Sequence, residues 1–260
     1  MKEEGVKRNN PLKLIFIILL FMAPIFNIGA EIEGIKSVQR ELHSNMKYWI
    51  LAPKNIPKEG YGLVVVLAGG DGDGGKSVPF WENVIRRSLE DRYMVVLPVA
   101  HKWDKDQEIT WPTDKHKDIV KGMQFTTEEF VFGLVNEVVK ENKINVNNVW
   151  LHGVSSGGPA VYAISLSHPA CFKGYYVLSS VFKIDQLPSL SLAKGKKYYI
   201  QHSQEDRVCP FWMAKKAAFQ LKKNGAVTEL DLFQGPHGYP FKDGHPDWDS
   251  IKTAFMWLEK

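Results

Sequence analysis

Ser155 and Ser156 stand side by side in the stretch HGVSSGG, residues 152–158. Gly153, Ser155 and Gly157 have the spacing G-x-S-x-G. A serine hydroxyl is a weak nucleophile until a base takes its proton, and that base needs an acid to orient it. In this motif the serine occupies the tip of a sharp strand-to-helix turn, with its hydroxyl exposed. Ser155 is then the nucleophile. Ser156 takes the next position, where its backbone N–H faces a developing oxyanion. The partners follow in the order serine, acid, histidine, at the ends of later strands. The segment QEDRVCP (204–210) offers Glu205 and Asp206, and GPHGYP (235–240) offers His237.

A lone pentapeptide of this kind arises by chance in loops, so the elements around it decide. The segment NVWLHGV (148–154) is an apolar strand running straight into the serines, and a helical pattern follows over 157–168. Further strands are expected at 47–52, 62–69, 93–100, 174–180, 197–203 and 228–234. Most are short and apolar on both faces, as in a sheet covered on both sides. Helices are expected at 79–92, 126–143, 211–225 and 247–260. Over 126–143 the apolar residues at 130, 131, 134, 135, 138 and 139 make one buried face, with Thr126 or Thr127 as cap. Alternating strands and helices imply an α/β fold with a mostly parallel, doubly wound sheet and helices on both faces. Asp206 and His237 then fall just beyond the strands at 197–203 and 228–234, where the chemistry needs them.

Other titratable residues compete for these roles. Asp185, after the strand at 174–180, is an alternative acid. His152 and His202 lie inside strands, as core or supporting groups, and His245 has a surface setting. The segment LAGGDGDGG (67–75) starts like a calcium loop at Asp71 and has Glu82 at the twelfth position. Gly75 replaces a ligand, however, and Lys76 stands where that loop requires glycine. Neither G-x-G-x-x-G nor a P-loop lysine is present, so no nucleotide is implied. No metal or organic cofactor is expected.

The connection from His101 to Phe125 has no clear period, and a loop of that length is usually functional. Trp103, Trp111, Trp212 and Tyr239, with Phe211 and Phe241, lie in or after loops on the catalytic edge. They are candidates to line an acyl or aryl pocket or to stack on a sugar. The competing reading is that most of them simply pack the long loop.

Residues 1–30 carry Lys2, Lys7, Arg8 and Lys13, then an apolar run from Leu14 to Phe26, then small residues ahead of Glu31. That order describes a signal peptide, and the run is short for a bilayer span. Cleavage near Ala30 is expected, leaving residues 31–260 as one secreted or periplasmic domain with no membrane span; a retained anchor is the alternative. Losing four basic and two acidic side chains lowers the formal net charge from +4 to +2. No basic run remains to favour nucleic acid. The oligomeric state is not legible. Cys171 precedes one strand and Cys209 follows another, placing them at opposite sheet edges, too far apart for a disulfide.

From about residue 61 to 259 the chain resembles an α/β-hydrolase of the phospholipase/carboxylesterase type, the group that includes acyl-protein thioesterases and small secreted esterases. LAGGDGDG, HGVSSGG, HSQEDRVCP and GPHG carry the resemblance. In that family the acid sits in a D-x-x-V-P segment. Asp206-Arg207-Val208-Cys209-Pro210 matches it except at Cys209, which favours Asp206 over Glu205. The family also places a glycine-rich oxyanion loop where LAGGDGDGG stands, so the resemblance implies a second donor at the N–H of Gly70 or Asp71. The implied activity is hydrolysis of small-molecule or polymer-linked carboxylic esters through an acyl-enzyme, without a cofactor. A serine peptidase of the prolyl-oligopeptidase kind shares the triad order but normally brings a further domain. A non-catalytic binding protein on the same fold is the other alternative.

Overall fold

The computed structural model describes residues 34–43, 45–167, 171–241 and 246–260. The candidate signal peptide and His245 lie outside the described residues.

One eight-stranded sheet runs through the molecule in the order β1-β2-β4-β3-β5-β6-β7-β8. Its strands are β1 (Ile35–Glu41), β2 (Lys47–Pro53), β3 (Tyr61–Leu67), β4 (Tyr93–Pro98), β5 (Ile144–Val154), β6 (Gly174–Leu178), β7 (Lys197–Ser203) and β8 (Val227–Phe233). From β4 across to β8 every pairing is parallel, and β1 and β2 add antiparallel strands at one side. The central strands β3, β4 and β6 are buried at every residue, which explains their unbroken apolar runs.

Two features differ from the expectation. β1 was not anticipated, because in IKSVQRE only Ile35, Ser37 and Val38 are buried. An edge strand needs one covered face, so its pattern is weak. β5 begins four residues earlier than its apolar core, through the largely exposed segment INVN. Backbone pairing carries it there, with Ile144 opposite Tyr61 on β3.

Among the described residues five α-helices cover the two faces: α1 (Val78–Arg87), α2 (Thr127–Glu141), α3 (Gly158–Ser167), α4 (Phe211–Lys223) and α5 (Trp248–Glu259). Residues of α2, α3 and α4, among them Phe130, Leu134, Val161 and Ala217, share one core layer. Trp81 and Ile85 of α1 and Ile251 and Phe255 of α5 share the other. A reciprocal cap starts α2: the Thr126 hydroxyl accepts from Glu129 N at 3.1 Å, and Glu129 accepts from Thr126 N at 2.7 Å. Such boxes satisfy two donors that the first helical turn leaves unpaired. Pro79 sits at the start of α1, where no donor is lost.

Because β3, β5, β7 and β8 run parallel, the segments after them emerge at one edge. The sequence segments around Gly70, Ser155, Asp206 and His237 are those four. Cys171, ahead of β6, and Cys209, after β7, are both free. Among the described residues no helix is long and apolar enough to cross a membrane.

Candidate active site

β5 ends at Val154 and the chain turns immediately through Ser155–Gly157 into α3. Ser155 has φ +50°, a left-handed conformation that costs a non-glycine residue about 1–3 kcal/mol and persists only where its surroundings enforce it. Here they do. The Ser155 carbonyl accepts from the Ser180 hydroxyl at 2.7 Å, and the turn is pressed onto β3. A Cβ on Gly157 would lie 2.1 Å from the Leu67 carbonyl oxygen, so only glycine fits between the turn and that strand.

Asp206 lies in the turn after β7, its side chain fully buried. Its Oδ1 accepts from Val208 N and Cys209 N, both at 2.8 Å. Oδ2 is 2.8 Å from Nδ1 of His237 and 3.3 Å from Nε2 of His202. Burying a carboxylate is costly unless such donors replace water, and Asp206 has a full set. His237 follows β8, with about a quarter of its side chain exposed. Its loop is fastened at both neighbouring strand ends: Gly238 N donates to the Ser179 hydroxyl at 3.0 Å, and the Ser203 hydroxyl donates to the Gly235 carbonyl.

Of the competing acids, Glu205 and Asp185 are both exposed. Asp185 sits in the short turn Ile184–Gln186, whereas Asp206 points inward because its backbone donors fold the turn around it. His152 is buried among Trp81, Tyr176 and Phe241 in the core layer of α1 and α5, and burial pushes its pKa down to about 3. His202 belongs to the site after all, as a support. Burial lowers its pKa, keeping it neutral, and its Nε2–H donates to the Cys209 carbonyl at 2.8 Å beside the Asp206 carboxylate.

Cys209 is the unforeseen member. It is buried and lines the same cavity as Ser155. Burial first, then the Asp206 charge, raises its thiol pKa to about 11. It therefore stays a protonated thiol at neutral pH. Its sulfur, a ring nitrogen of His237 and an Asp206 oxygen lie within 4.8 Å of one another.

The glycine-rich loop after β3 lies against the elbow, since a Cβ on Gly69 would be 3.2 Å from that of Ser155. The Gly70 carbonyl accepts from the Ser156 hydroxyl at 3.0 Å and from Thr110 Oγ1 at 2.9 Å. In a trans peptide the carbonyl and the next N–H point in opposite directions. The Asp71 N–H is therefore turned away from the serine turn. The Asp71 side chain is occupied elsewhere, by Lys76 and by Asp73 N. Sequence reasoning credited Ser156 only with its main chain; its hydroxyl also ties the loop to the elbow. Ser156→Ala keeps the N–H, and Thr110 still holds Gly70, so kcat should fall by about tenfold at most, the worth of roughly one hydrogen bond. Steady-state kinetics on an ester checks this; a loss as large as that of Ser155→Ala would reverse the assignment.

A cavity of about 340 Å³ opens at Ser155 and Ser156. Apolar residues of α3 (Pro159, Ala160, Ala163) form one side, with Val181 and Leu187 beyond β6. The long loop supplies the other side, with Glu108, Trp111, Thr113 and His116 among its residues. That loop is ordered by its own contacts. Trp111 is buried and donates through Nε1 to the Ala68 carbonyl at 2.9 Å. His116 accepts from Thr113 N at 3.0 Å, and burial lowers its pKa.

Of the four aromatic residues expected to line a pocket, Trp111 does so. Trp103 packs edge-on against His101 and Phe125 within the loop. Trp212 is 53% exposed on α4, and Tyr239 stacks on Phe233 beside Gly235. These three stand outside the cavity lining. Position near a strand end does not say which way a ring turns. The paired serines after β6 were a legible signal that was missed: Ser179 holds the histidine loop and Ser180 holds the elbow.

No family model and no curated protein sequence matches the chain. Solved structures do. A fungal esterase from Rhizomucor miehei superposes with a TM-score of 0.66 at 13% identity, covering 86% of this chain and 83% of that one. A thermostable esterase from Pseudomonas putida gives 0.65 at 13% identity, covering 89% and 85%. A carboxylesterase from Mesorhizobium loti gives 0.61 at 17% identity, covering 87% and 99%. At such identities the likeness is one of fold.

Proposed function

We propose that this chain, which has the α/β-hydrolase fold, is a serine hydrolase that cleaves carboxylic esters through an acyl-enzyme. One observation carries the reading: a buried carboxylate, Asp206, bonded at 2.8 Å to the ring of His237, beside a serine held at φ +50° at the mouth of a cavity. Structural packing alone gives no reason to hold a serine in a strained turn next to an oriented histidine. That the solved structures of like fold are esterases supports the same reading.

His237 takes the proton of Ser155 as its oxygen attacks the ester carbonyl. The Ser155 hydroxyl first turns to Nε2 of His237. Asp206 holds Nδ1–H and so keeps Nε2 free to accept. The N–H groups of Ser156 and Gly70 receive the oxyanion, a contribution of about 3 kcal/mol per donor at such sites. Collapse of the intermediate expels the alcohol, which takes the proton from His237. Water then repeats the sequence on the acyl-enzyme.

The cavity volume is at the small end of ligand sites, roughly 300–1,000 Å³. Pro159, Ala160, Ala163 and Trp111 give its lining apolar surface that suits a compact acyl group, a short chain or one ring. Glu108, Lys183 and Gln186 add polar groups for an alcohol that is free or attached to a polymer. A panel of chromogenic esters varying acyl length and alcohol tests this. Short acyl esters should be turned over and long-chain ones poorly. Failure on every ester, with cleavage of a prolyl peptide, would replace the reading with a peptidase. Export to the periplasm or medium rests on the pattern of residues 1–30. An exported protein whose mass begins near Glu31 would support it; one retaining residue 1 would not.

A further inference from the structure

The geometry points to a second use of the catalytic cluster: Cys209, His237 and Asp206 form an inhibitory site for a thiophilic divalent cation, of which Zn²⁺ is the natural test. The proposal builds on the ester-hydrolase reading and assigns that site a means of control. Three kinds of ligand converge here: a thiol, an imidazole and a carboxylate, with their donor atoms within 4.8 Å of one another. Sulfur and imidazole together select zinc and its softer relatives over calcium or magnesium. Zinc takes sulfur at about 2.3 Å and nitrogen at about 2.0–2.1 Å, so in a tetrahedron these atoms stand roughly 3.6 Å apart. Closing the cluster by about an ångström suffices, and side-chain rotation of Cys209 and His237 supplies it.

Access is present, since Cys209 lines the cavity beside Ser155 and Ser156. The Ser155 hydroxyl, which borders the same cavity, or water can fill the fourth position. On binding, Cys209 gives its S–H proton to bulk water and coordinates as thiolate; nothing is oxidised or reduced.

Inhibition follows whichever nitrogen the ion takes. Coordination at Nδ1 moves the ring proton to Nε2, through solvent, and displaces the Asp206 hydrogen bond that orients the ring. Coordination at Nε2 consumes the lone pair that must receive the serine proton. Either way the triad is disabled while the fold is untouched. A residue without a ligand atom at 209 would leave only imidazole and carboxylate, too few for tight binding, so the cysteine is what makes the site.

Two readouts on the full chain test this. Ester hydrolysis by the wild type should be inhibited by Zn²⁺ and restored by a chelator. In Cys209→Ser and Cys209→Ala, each measured against its own untreated rate, the inhibiting concentration should rise about 100-fold or more, because losing even a group bonded to a ligand costs roughly 10–100-fold. Cys171→Ser should remain as sensitive as wild type. Independently of activity, titration with Cd²⁺ should develop ultraviolet thiolate-to-cadmium absorption saturating at one ion per chain. That band should persist in Ser155→Ala, vanish in Cys209→Ser and weaken in His237→Ala. If the band forms while no ester is hydrolysed, the metal site stands and the function assigned above falls. If esters are hydrolysed but Zn²⁺ acts equally on wild type and both Cys209 variants, or the band follows Cys171, the site is wrong.

Discussion

Ser155→Ala should lower kcat on its best ester by about 10⁵–10⁶-fold, the scale on which removing the nucleophile of such a triad acts. Residual turnover would come from substrate binding and the oxyanion donors alone. The variant should be folded and no less stable. Alanine adopts the same φ +50° at the same cost, the Ser155 carbonyl keeps its bond from Ser180, and only a hydroxyl facing the cavity is lost. Burst-phase acylation should also disappear. Labelling with a fluorophosphonate should mark Ser155 in the wild type and nothing in the variant. Activity retained by Ser155→Ala, or a label found on Ser156, would remove the premise of the mechanism.

What was legible from residue types was the frame and the chemistry. Unbroken apolar runs could only be strands buried on both faces, and they appear within a residue or two as β3, β4, β6 and β7. The catalytic candidates were legible because their chemistry demands particular residues at strand ends, and there were few to choose from. The contacts that set each side chain's direction were not legible. Trp111 and Trp103 share one loop, yet an indole N–H bond to Ala68 turns the first into the cavity wall, while the second closes on Phe125. Asp71 was an equal candidate with Gly70 until the Gly70 carbonyl was found bonded to Ser156 and Thr110, which reverses the neighbouring N–H. In the sequence Cys209 is only a departure from the D-x-x-V-P pattern. Its meaning depends on which way the thiol points, and that is decided by the turn that Asp206 builds with Val208 N and Cys209 N.

Asp206→Asn should cost about 10⁴-fold in kcat with a small change in KM, as replacing the orienting acid of a serine triad does. The residue touches no substrate, so binding is spared. The geometry gives the cause. With its oxygen still accepting from Val208 N and Cys209 N, the asparagine must aim its amide NH₂ at Nδ1 of His237, 2.8 Å from the present Oδ2. A donor there pairs only with an unprotonated Nδ1. The ring proton moves to Nε2, and the nitrogen that should accept from Ser155 becomes a donor. The alternative, flipping the amide, leaves the N–H groups of Val208 and Cys209 without acceptors, at about 1–3 kcal/mol for the buried Cys209 N–H, so one orientation is favoured. Asp206→Asn should thus be correctly folded, measurably less stable, and trapped in the wrong tautomer. Circular dichroism with thermal unfolding separates this from collapse of the site. Asp185→Asn should be close to wild type, and an active Asp206→Asn beside a dead Asp185→Asn would move the acid to the segment after β6.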